Sequence, residues 1–390
     1  MRTLALLLAL LLAWPVHAAE ITATRSGSGG AITVTRGQAG ATSTKASVLA
    51  YLTALPTGAS NRLMLGTMDD FASACNGDEV DEFVANGNGK YPAIMACDYT
   101  VEGTGTASSG TVSYSNPNTE LTAFWNSDGL VMVTMHIQNP CLAGSITESN
   151  NDVRTNCSAA NFTQLITSGS TIYNRWRGAG YLQDVRDGLQ VLEDAGVVVL
   201  FRPLHEMNLA FWWGDQNAAN FKTLWQQTYD YLVTDSGLSN LLWVYSALSG
   251  AGNEDAFYPG DAYVDMTALD AYKGTGSASG QWCHAGFPAA QGYDALLALG
   301  KPFFFSEVGD SNPTDPDGNI NYLAMINCVE DNNMTNAFAM VSWKRKHAFG
   351  YVAGAVNNGL PAALTHAWVM TRDEVNIPEP SATGAVTFTR

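Results

Sequence analysis

The amino-acid sequence predicts an α/β fold, a (β/α)8 TIM barrel formed as a single domain. Eight short apolar or β-branched runs recur along the chain, and each precedes a segment long enough to hold a helix. Several runs are apolar at consecutive positions, which is typical of parallel strands covered on both faces. The predicted strands are residues 62–68, 93–99, 130–136, 197–206, 241–247, 264–272, 302–309 and 337–343.

The segments between the strands carry helical patterns. Apolar residues recur at helical spacing in residues 181–195 and again in residues 217–233. The alternative architecture is a doubly wound open sheet, but no Gly-x-Gly-x-x-Gly fingerprint follows the first predicted strand. A barrel without internal sequence repeats is therefore the preferred prediction.

The two ends of the chain are predicted to lie outside the barrel. Residues 1–18 resemble a secretory signal, because Arg2 precedes an apolar run and Val16-His17-Ala18 resembles a cleavage site. That run is shorter than the roughly 20 residues that span a bilayer, so we expect no membrane association and a secreted or periplasmic protein. Residues 19–45 are predicted as a weakly ordered or edge segment, 46–375 as the barrel and 376–390 as a tail.

Cysteine content and charge limit the other classes of function. Six cysteines follow the signal without a Cys-x-x-Cys pair, which favours disulfides in an oxidising compartment. A polar loop joins Cys141 to Cys157, so we predict that these two pair, and the remaining pairing stays open. The net charge of -17 disfavours nucleic acid and anionic glycans as partners. A neutral polymer fits, although solubility explains an acidic balance equally well.

Polar and aromatic residues cluster where the predicted strands end. In α/β barrels the carboxyl ends of the strands meet at one rim, which is where active sites form. Glu206 ends the fourth strand and Glu307 ends the seventh, so the two face each other across the barrel mouth. Hydrolysis of a glycosidic bond needs such a pair, one carboxyl as acid and one carboxylate at the anomeric carbon. The alternative for each glutamate is an ordinary salt-bridged strand end.

Two sequence strings resemble a known family. Residues 201–208 read FRPLHEMN, residues 211–214 read FWWG, and residues 306–309 read SEVG. These strings closely resemble the signatures of glycoside hydrolase family 26, and the resemblance covers roughly residues 60–345. It implies that Glu206 is the acid/base and Glu307 the nucleophile of a retaining mechanism. It also implies an endo-β-1,4-mannanase acting on mannan, glucomannan or galactomannan.

The same resemblance and the strand ends give expected roles to further residues. We expect Arg202 to clamp the carboxylates from below, and Asp270 and Tyr272 to orient the nucleophile and a sugar hydroxyl. The other residues expected to line the substrate site are His136, His205, Phe211, Trp212, Trp213, Trp343 and, in the long segment 141–177, Trp176.

No cofactor or obligatory partner is expected. Retaining hydrolysis needs only two carboxyl groups and water, so we predict no organic cofactor and a monomer. We expect no metal site, because residues 205–209 lack the second histidine of a zinc His-Glu-x-x-His motif. The acidic loop 310–321 departs from the twelve-residue calcium loop and is interpreted as a solvated turn.

One departure from the family signature leaves the substrate open. Family members read Asn-Gly-x-Trp-Phe-Trp-Trp-Gly, whereas residues 208–214 read NLAFWWG, which is one residue shorter and lacks the first tryptophan. Either Phe211 takes over its place or a subsite is altered. The alternatives are the same chemistry on mixed-linkage β-glucan or β-1,3-xylan, and a barrel that binds glycans without cutting them.

Overall fold

The structure is a computed structural model that describes most of the barrel. The described residues are 21–25, 32–36, 43–102, 108–142, 153–209, 211–214, 216–273, 292–310, 322–331, 334–343, 352–353, 356–357 and 359–378. The predicted signal, most of the predicted tail, loop 311–321 and Cys283 lie outside them.

Strands and helices alternate along the described chain. The strands are β1 (Ile21–Arg25), β2 (Ile32–Arg36), β3 (Leu63–Phe71), β4 (Ile94–Asp98), β5 (Thr100–Glu102), β6 (Ser108–Val112), β7 (Leu130–Thr134), β8 (Val199–Arg202), β9 (Leu241–Leu248), β10 (Met266–Lys273), β11 (Phe303–Asp310), β12 (Ala337–Ser342), β13 (Val352–Ala353), β14 (Val356–Asn357) and β15 (Val369–Met370). The helices are α1 (Lys45–Ala54), α2 (Asp78–Asn86), α3 (Ser115–Trp125), α4 (Ala159–Leu165), α5 (Thr171–Trp176), α6 (Leu182–Asp194), α7 (Ala218–Tyr229), α8 (Tyr293–Leu297), α9 (Tyr322–Asp331) and α10 (Leu360–Ala363).

Eight parallel strands close into the predicted (β/α)8 barrel. Their order is β3, β4, β7, β8, β9, β10, β11 and β12, and β12 pairs with β3 to complete the ring. All eight predicted strands are confirmed as members of this barrel. α-Helices lie between most successive strands, and because all eight strands run parallel, their carboxyl ends meet at one rim.

Alternation along each strand divides the apolar core into two clusters. One set of side chains packs inside the barrel, and the set between them packs outward against the helices. In β8, for example, Leu200 belongs to the inner cluster, while Val199 and Phe201 belong to the outer one. This double burial explains why the strands read as continuous apolar runs.

The amino-terminal end of the barrel is closed by the first helix. Val48 and Leu52 of α1 belong to the inner cluster, and a capping box between Thr44 and Ser47 starts the helix. Strand β15 pairs with the beginning of β3 at the same end, and its Met370 joins the inner cluster. The opposite end, where the strands finish, is therefore the end available for a site.

One predicted strand boundary differs from the structure. The fourth barrel strand ends at Arg202 instead of residue 206, because Pro203 has no N–H to donate to a neighbouring strand. Residues 19–45, expected to be weakly ordered or at an edge, include the two antiparallel strands β1 and β2. None of the described helices has the length and apolar character needed to cross a membrane.

The predicted Cys141–Cys157 disulfide is present, with Cα atoms 5.6 Å apart. A second disulfide joins Cys75 to Cys97, a pairing that the sequence left open. This second bond ties the segment after β3 to β4 on the outside of the barrel.

Candidate active site

Three carboxyl groups meet at the rim where the barrel strands end. Glu206, Asp270 and Glu307 each place a carboxylate oxygen within 4.8 Å of the others. Asp270 is fully buried, and the two glutamates are only 8% and 5% exposed. Asp270 and Glu307 lie side by side in paired strands, whereas Glu206 follows β8. The two glutamates predicted to act together are therefore brought together by the fold.

A polar layer beneath these carboxyl groups replaces the apolar filling of the barrel. In β8, β9, β10 and β11 the residue two positions after the last inner-cluster residue is polar. These polar residues are Arg202, Ser246, Asp270 and Ser306, which follow Leu200, Val244, Ala268 and Phe304 in that order. Ser246 and Ser306 donate hydrogen bonds to Asp270 Oδ1 over 3.0 and 2.7 Å. The alternation that buries apolar residues lower in the barrel thus delivers polar ones to the floor of the site.

Arg202 is the fully buried cation of the site. Its Nη1 lies 2.8 Å from Asp270 Oδ2, and its Nη2 donates to Glu307 Oε1. Burial opposes its charge, but Asp270 and Glu307 raise its pKa further above the ordinary range. Arg202 therefore stays charged and acts as the predicted carboxylate clamp. The structure leaves none of its surface exposed.

The Glu307 carboxylate is held from two sides. Arg202 binds one oxygen, and the Tyr272 hydroxyl donates a hydrogen bond to the other. Burial, followed by the Glu307 charge, raises the pKa of Tyr272 well above its usual value, so the phenol keeps its proton and remains a donor. Two charge-assisted donors of this kind suit an ionised carboxylate fixed in one orientation.

Glu206 is placed in an environment that favours its protonated form. Burial and then the charges of Asp270 and Glu307 raise its pKa well above the usual value, while Arg202 and Arg154 oppose the rise. The backbone around it is strained, since Leu204 and Glu206 both have a φ of 48°. The Glu206 N–H donates to Ser246 O over 2.9 Å, which fixes this turn against β9.

A histidine pair connects the site to β4. His136 Nδ1 lies 2.6 Å from Asp98 Oδ2, and His136 Nε2 lies 3.1 Å from His205 Nε2. Burial, and then the charges of Arg202 and His136, lower the pKa of His205 well below its usual value, so this ring is neutral. Burial opposes ionisation of Asp98, yet His136 and two bonds from Thr100 hold the pKa of Asp98 below its usual value.

Three of the tryptophans expected to line the substrate site are buried in the structure. Trp212 and Trp213 are fully buried and turn their indole N–H groups to the carbonyls of Ile137 and His205. Trp176, in α5, is 1% exposed and packs edge-on against Trp212 at 5.3 Å. All three rings are enclosed by the core and form a layer behind the site.

Phe211 and Trp343 both pack against the His136 ring. Phe211 stacks on Trp213 with ring centroids 4.7 Å apart and presents an edge to His136 and His205. Trp343 is partly exposed and lies 6.1 Å from Phe71, a rim residue that the sequence analysis missed. The partly exposed face of Trp343 is suited to stacking on a sugar ring.

The loop after Glu206 is short and tightly fixed. Asn208 exchanges two hydrogen bonds with the backbone of Leu248, at 2.8 and 2.9 Å. A Cβ at Gly214 would lie 1.8 Å from Leu209 O, so only glycine allows this closure. The side chain of Leu209 is 44% exposed. In this loop Leu209, and not Phe211, is the apolar side chain turned to solvent among the described residues.

Comparison with known proteins identifies the family. The model of Glycosyl hydrolase family 26 matches residues 38–374. The chain belongs to this family. Two proteins of Bacillus subtilis named mannan endo-1,4-beta-mannosidase are 31% and 30% identical to it, over 84% and 85% of this chain and 86% of each relative. The solved structure of the Bacillus subtilis mannanase BCman has a TM-score of 0.73 and 28% identity, covering 88% of this chain and 97% of that one.

Family membership makes the chain a glycoside hydrolase. The rim cluster holds the two carboxyl groups that glycoside hydrolysis requires, Glu206 and Glu307. Sequence reasoning missed the serines that bind Asp270, the role of Asp98 and the nearby cation Arg154. The serines follow from strand alternation once the barrel register is known.

Proposed function

We propose that this family 26 enzyme is a secreted or periplasmic endo-β-1,4-mannanase that retains anomeric configuration by double displacement. The observation that carries the mechanism is the spacing of the carboxyl groups, within 4.8 Å between oxygens of Glu206 and Glu307. Retaining enzymes have carboxyl groups about 5–5.5 Å apart, whereas inverting enzymes need about 6.5–9.5 Å to admit water between them. The shorter spacing supports direct attack by Glu307.

In the first step Glu307 attacks the anomeric carbon while Glu206 protonates the departing glycosidic oxygen. The bond from carbon to the leaving sugar breaks, and an ester bond to Glu307 forms. In the second step the deprotonated Glu206 takes a proton from water, whose oxygen displaces Glu307 from the sugar. Esterification removes the Glu307 charge that raises the pKa of Glu206, which supports the exchange of roles from acid to base.

Mannan, glucomannan or galactomannan is the proposed substrate, because the relatives named above are mannan endo-1,4-beta-mannosidases. The shortened loop with its exposed Leu209 favours a second candidate, the same chemistry on mixed-linkage β-glucan or β-1,3-xylan. The proposed mechanism uses two carboxyl groups and water, so it calls for no organic cofactor.

The test is reducing-sugar release from konjac glucomannan, galactomannan, barley mixed-linkage glucan, β-1,3-xylan and carboxymethyl cellulose. We expect release from the mannans, a fast fall in viscosity that marks endo action, and the β-anomer as the first product by NMR. Release from glucan or xylan alone would overturn the substrate, and an α-anomer would overturn double displacement.

A variant distinguishes an enzyme from a barrel that only binds glycans. Glu307→Ala should lose nearly all hydrolysis while it still binds glucomannan in affinity electrophoresis. No release by the wild-type chain from any polymer, together with retained binding, would favour the glycan-binding barrel.

A further inference from the structure

Both carboxylate oxygens of Asp98 accept hydrogen bonds inside the protein. Oδ1 accepts from the backbone N–H of Thr100 over 2.7 Å, from the backbone N–H of His136 over 3.2 Å, and from the Thr100 hydroxyl. Oδ2 lies 2.6 Å from His136 Nδ1, and none of the Asp98 side chain is exposed. A carboxylate that accepts in every bond is ionised, and a charge buried this deeply requires a cation beside it.

His136 is placed to be that cation. Its distance of 2.6 Å to Asp98 is as short as hydrogen bonds between opposite charges are, so Nδ1 carries a proton that it donates. Three aromatic rings pack around the imidazole, with centroids 5.3, 5.4 and 5.8 Å from its own; they belong to Phe71, Phe211 and Trp343. The rings keep most water from the pair, and in such surroundings opposite charges attract each other strongly.

The charge of His136 is decided at its other nitrogen. Nε2 lies 3.1 Å from His205 Nε2, so one of these two nitrogens donates to the other. On the far side of the His205 ring, Nδ1 lies 3.5 Å from the Thr134 hydroxyl oxygen. That hydroxyl gives its own proton to Arg202 O over 3.3 Å, which leaves it to accept from His205. The proton of His205 therefore belongs on Nδ1.

The direction of the central hydrogen bond follows. His205 is the neutral ring of the pair, as its lowered pKa indicates, and a neutral imidazole has one N–H and one acceptor nitrogen. With the proton on Nδ1, His205 Nε2 is the acceptor and His136 Nε2 is the donor. His136 thus donates from both of its nitrogens, which makes it an imidazolium.

We propose that Asp98 is a positioning residue: it holds His136 as an imidazolium, which in turn orients the neutral ring of His205. His205 directly precedes Glu206, and its carbonyl accepts the Trp213 indole N–H over 2.7 Å. The chain of hydrogen bonds from Asp98 therefore reaches the turn that carries the proposed acid. The protonation of His136 is independent of the proposed function, whereas its effect on the reaction rate rests on that function.

The first test is the protonation of the two rings in the wild-type chain. With isotope-labelled histidine at pH 7, long-range proton–nitrogen NMR spectra report which ring nitrogens carry a proton. We expect protons on both nitrogens of His136 and on Nδ1 alone of His205, with the signals assigned by their loss in His136→Gln and His205→Gln. A His136 Nε2 without a proton would overturn the proposal, because His205 would then be the donor.

The second test removes the carboxylate charge. Asp98→Asn keeps the oxygen that Thr100 binds but turns an amide N–H₂ toward His136 Nδ1, so the ring loses its Nδ1 proton and becomes neutral. We expect one proton on His136 at pH 7. Because small misplacements around a reacting group are costly, kcat on konjac glucomannan should fall by up to about 100-fold, with a smaller change in KM.

Asp265→Asn is the matched control. Asp265 also accepts from a backbone N–H, that of Trp243 over 2.8 Å, and also pairs with a cation, Lys45 at 2.9 Å. It precedes β10, at the end of the barrel opposite the site. This variant should keep both protons on His136 and the wild-type kcat.

Two outcomes would overturn the positioning role of Asp98. One is a loss of activity in Asp98→Asn with both protons still on His136, which indicates a structural effect alone. The other is a neutral His136 with an unchanged kcat. If Asp98→Asn does not fold, Thr100→Val replaces it: this change removes one donor from Asp98, and moved His136 signals with an unchanged kcat would again refute the role. A wild-type chain that gives the expected spectrum but hydrolyses none of the polymers would instead refute the proposed function.

Discussion

Replacing Arg202 with methionine would leave three buried carboxyl groups around one site with no buried cation between them. In the present site Arg202 binds Asp270 at 2.8 Å and also Glu307, and none of its side chain is exposed. Removing one partner of a buried ion pair costs about 3–5 kcal/mol, because the other charge is left uncompensated. We expect the free energy of unfolding at pH 8 to fall by about that amount.

The loss should depend on pH in a defined direction. Burial already raises the pKa of Asp270 to about 7, although Arg202 opposes this, and removal of Arg202 raises it further. A carboxyl group with a raised folded-state pKa destabilises the fold when ionised, and protonation relieves this as the pH falls through that pKa. The variant should therefore recover part of its stability at pH 5.

Catalysis gives the second measurement. Without Arg202 the proposed nucleophile Glu307 loses a charge-assisted donor, and the loss of one such preorganised donor lowers kcat by about 100- to 1,000-fold. Urea unfolding at pH 5 and pH 8 and kcat/KM on glucomannan test both effects, with the surface variant Arg186→Met as control. A stability loss below about 1 kcal/mol, equal at the two pH values, would show that Arg202 is not the counterion argued here.

Three further variants test other parts of the site and fold. Burial raises the pKa of Asp69, which accepts hydrogen bonds from the backbone at the start of α2, to about 6. The cost of burying its charge is fully present above pH 6 and declines as the pH falls from 6 towards the ordinary pKa of an aspartate. Asp69→Ser should therefore lower stability by about 1 kcal/mol at pH 5 and flatten the urea-measured change in stability between pH 5 and pH 7. Leu209→Gly should raise KM for glucomannan several-fold with little change in kcat, and an unchanged KM would place the exposed leucine outside the substrate path. Asp98→Asn should lower kcat and move the NMR signals of the His136 ring, because Asp98 Oδ2 lies 2.6 Å from His136 Nδ1; an unmoved His136 signal would refute the coupling.

The position of the candidate site could be predicted from the sequence because the barrel fold determines where each strand ends. Strand ends that are far apart in sequence meet at one rim, so His136, Glu206, Asp270 and Glu307 required no knowledge of side-chain geometry. The serines of the polar layer were missed for a physical reason. In the sequence, a small residue such as Ser306 inside a buried strand looks like an ordinary core residue. Only the strand register shows that Ser306 faces the Asp270 carboxylate.

The directions of the tryptophan side chains could not be predicted from the pattern of residues. Trp212 and Trp213 follow Glu206 so closely that contact with substrate was the natural expectation. Their direction depends on the turn from Leu204 to Glu206, where two side-chain-bearing residues adopt a positive φ. That conformation is uncommon for either residue type, and hydrophobic periodicity does not report it. The turn sends Glu206 into the site and both indoles behind it.

The charge balance of the site explains how Glu206 can be protonated in the first proposed step and ionised in the second. In the free enzyme the single charge of Arg202 is shared by Asp270 and Glu307, so ionising Glu206 as well would leave two uncompensated negative charges in a buried space. Once Glu307 is esterified, Arg202 and Asp270 balance each other, and Glu206 faces a neutral pair. Ionisation of Glu206 then meets less opposition in the state that needs a base. Asp270 touches no reacting atom in this scheme, yet without it Arg202 would stay uncompensated when the nucleophile is consumed.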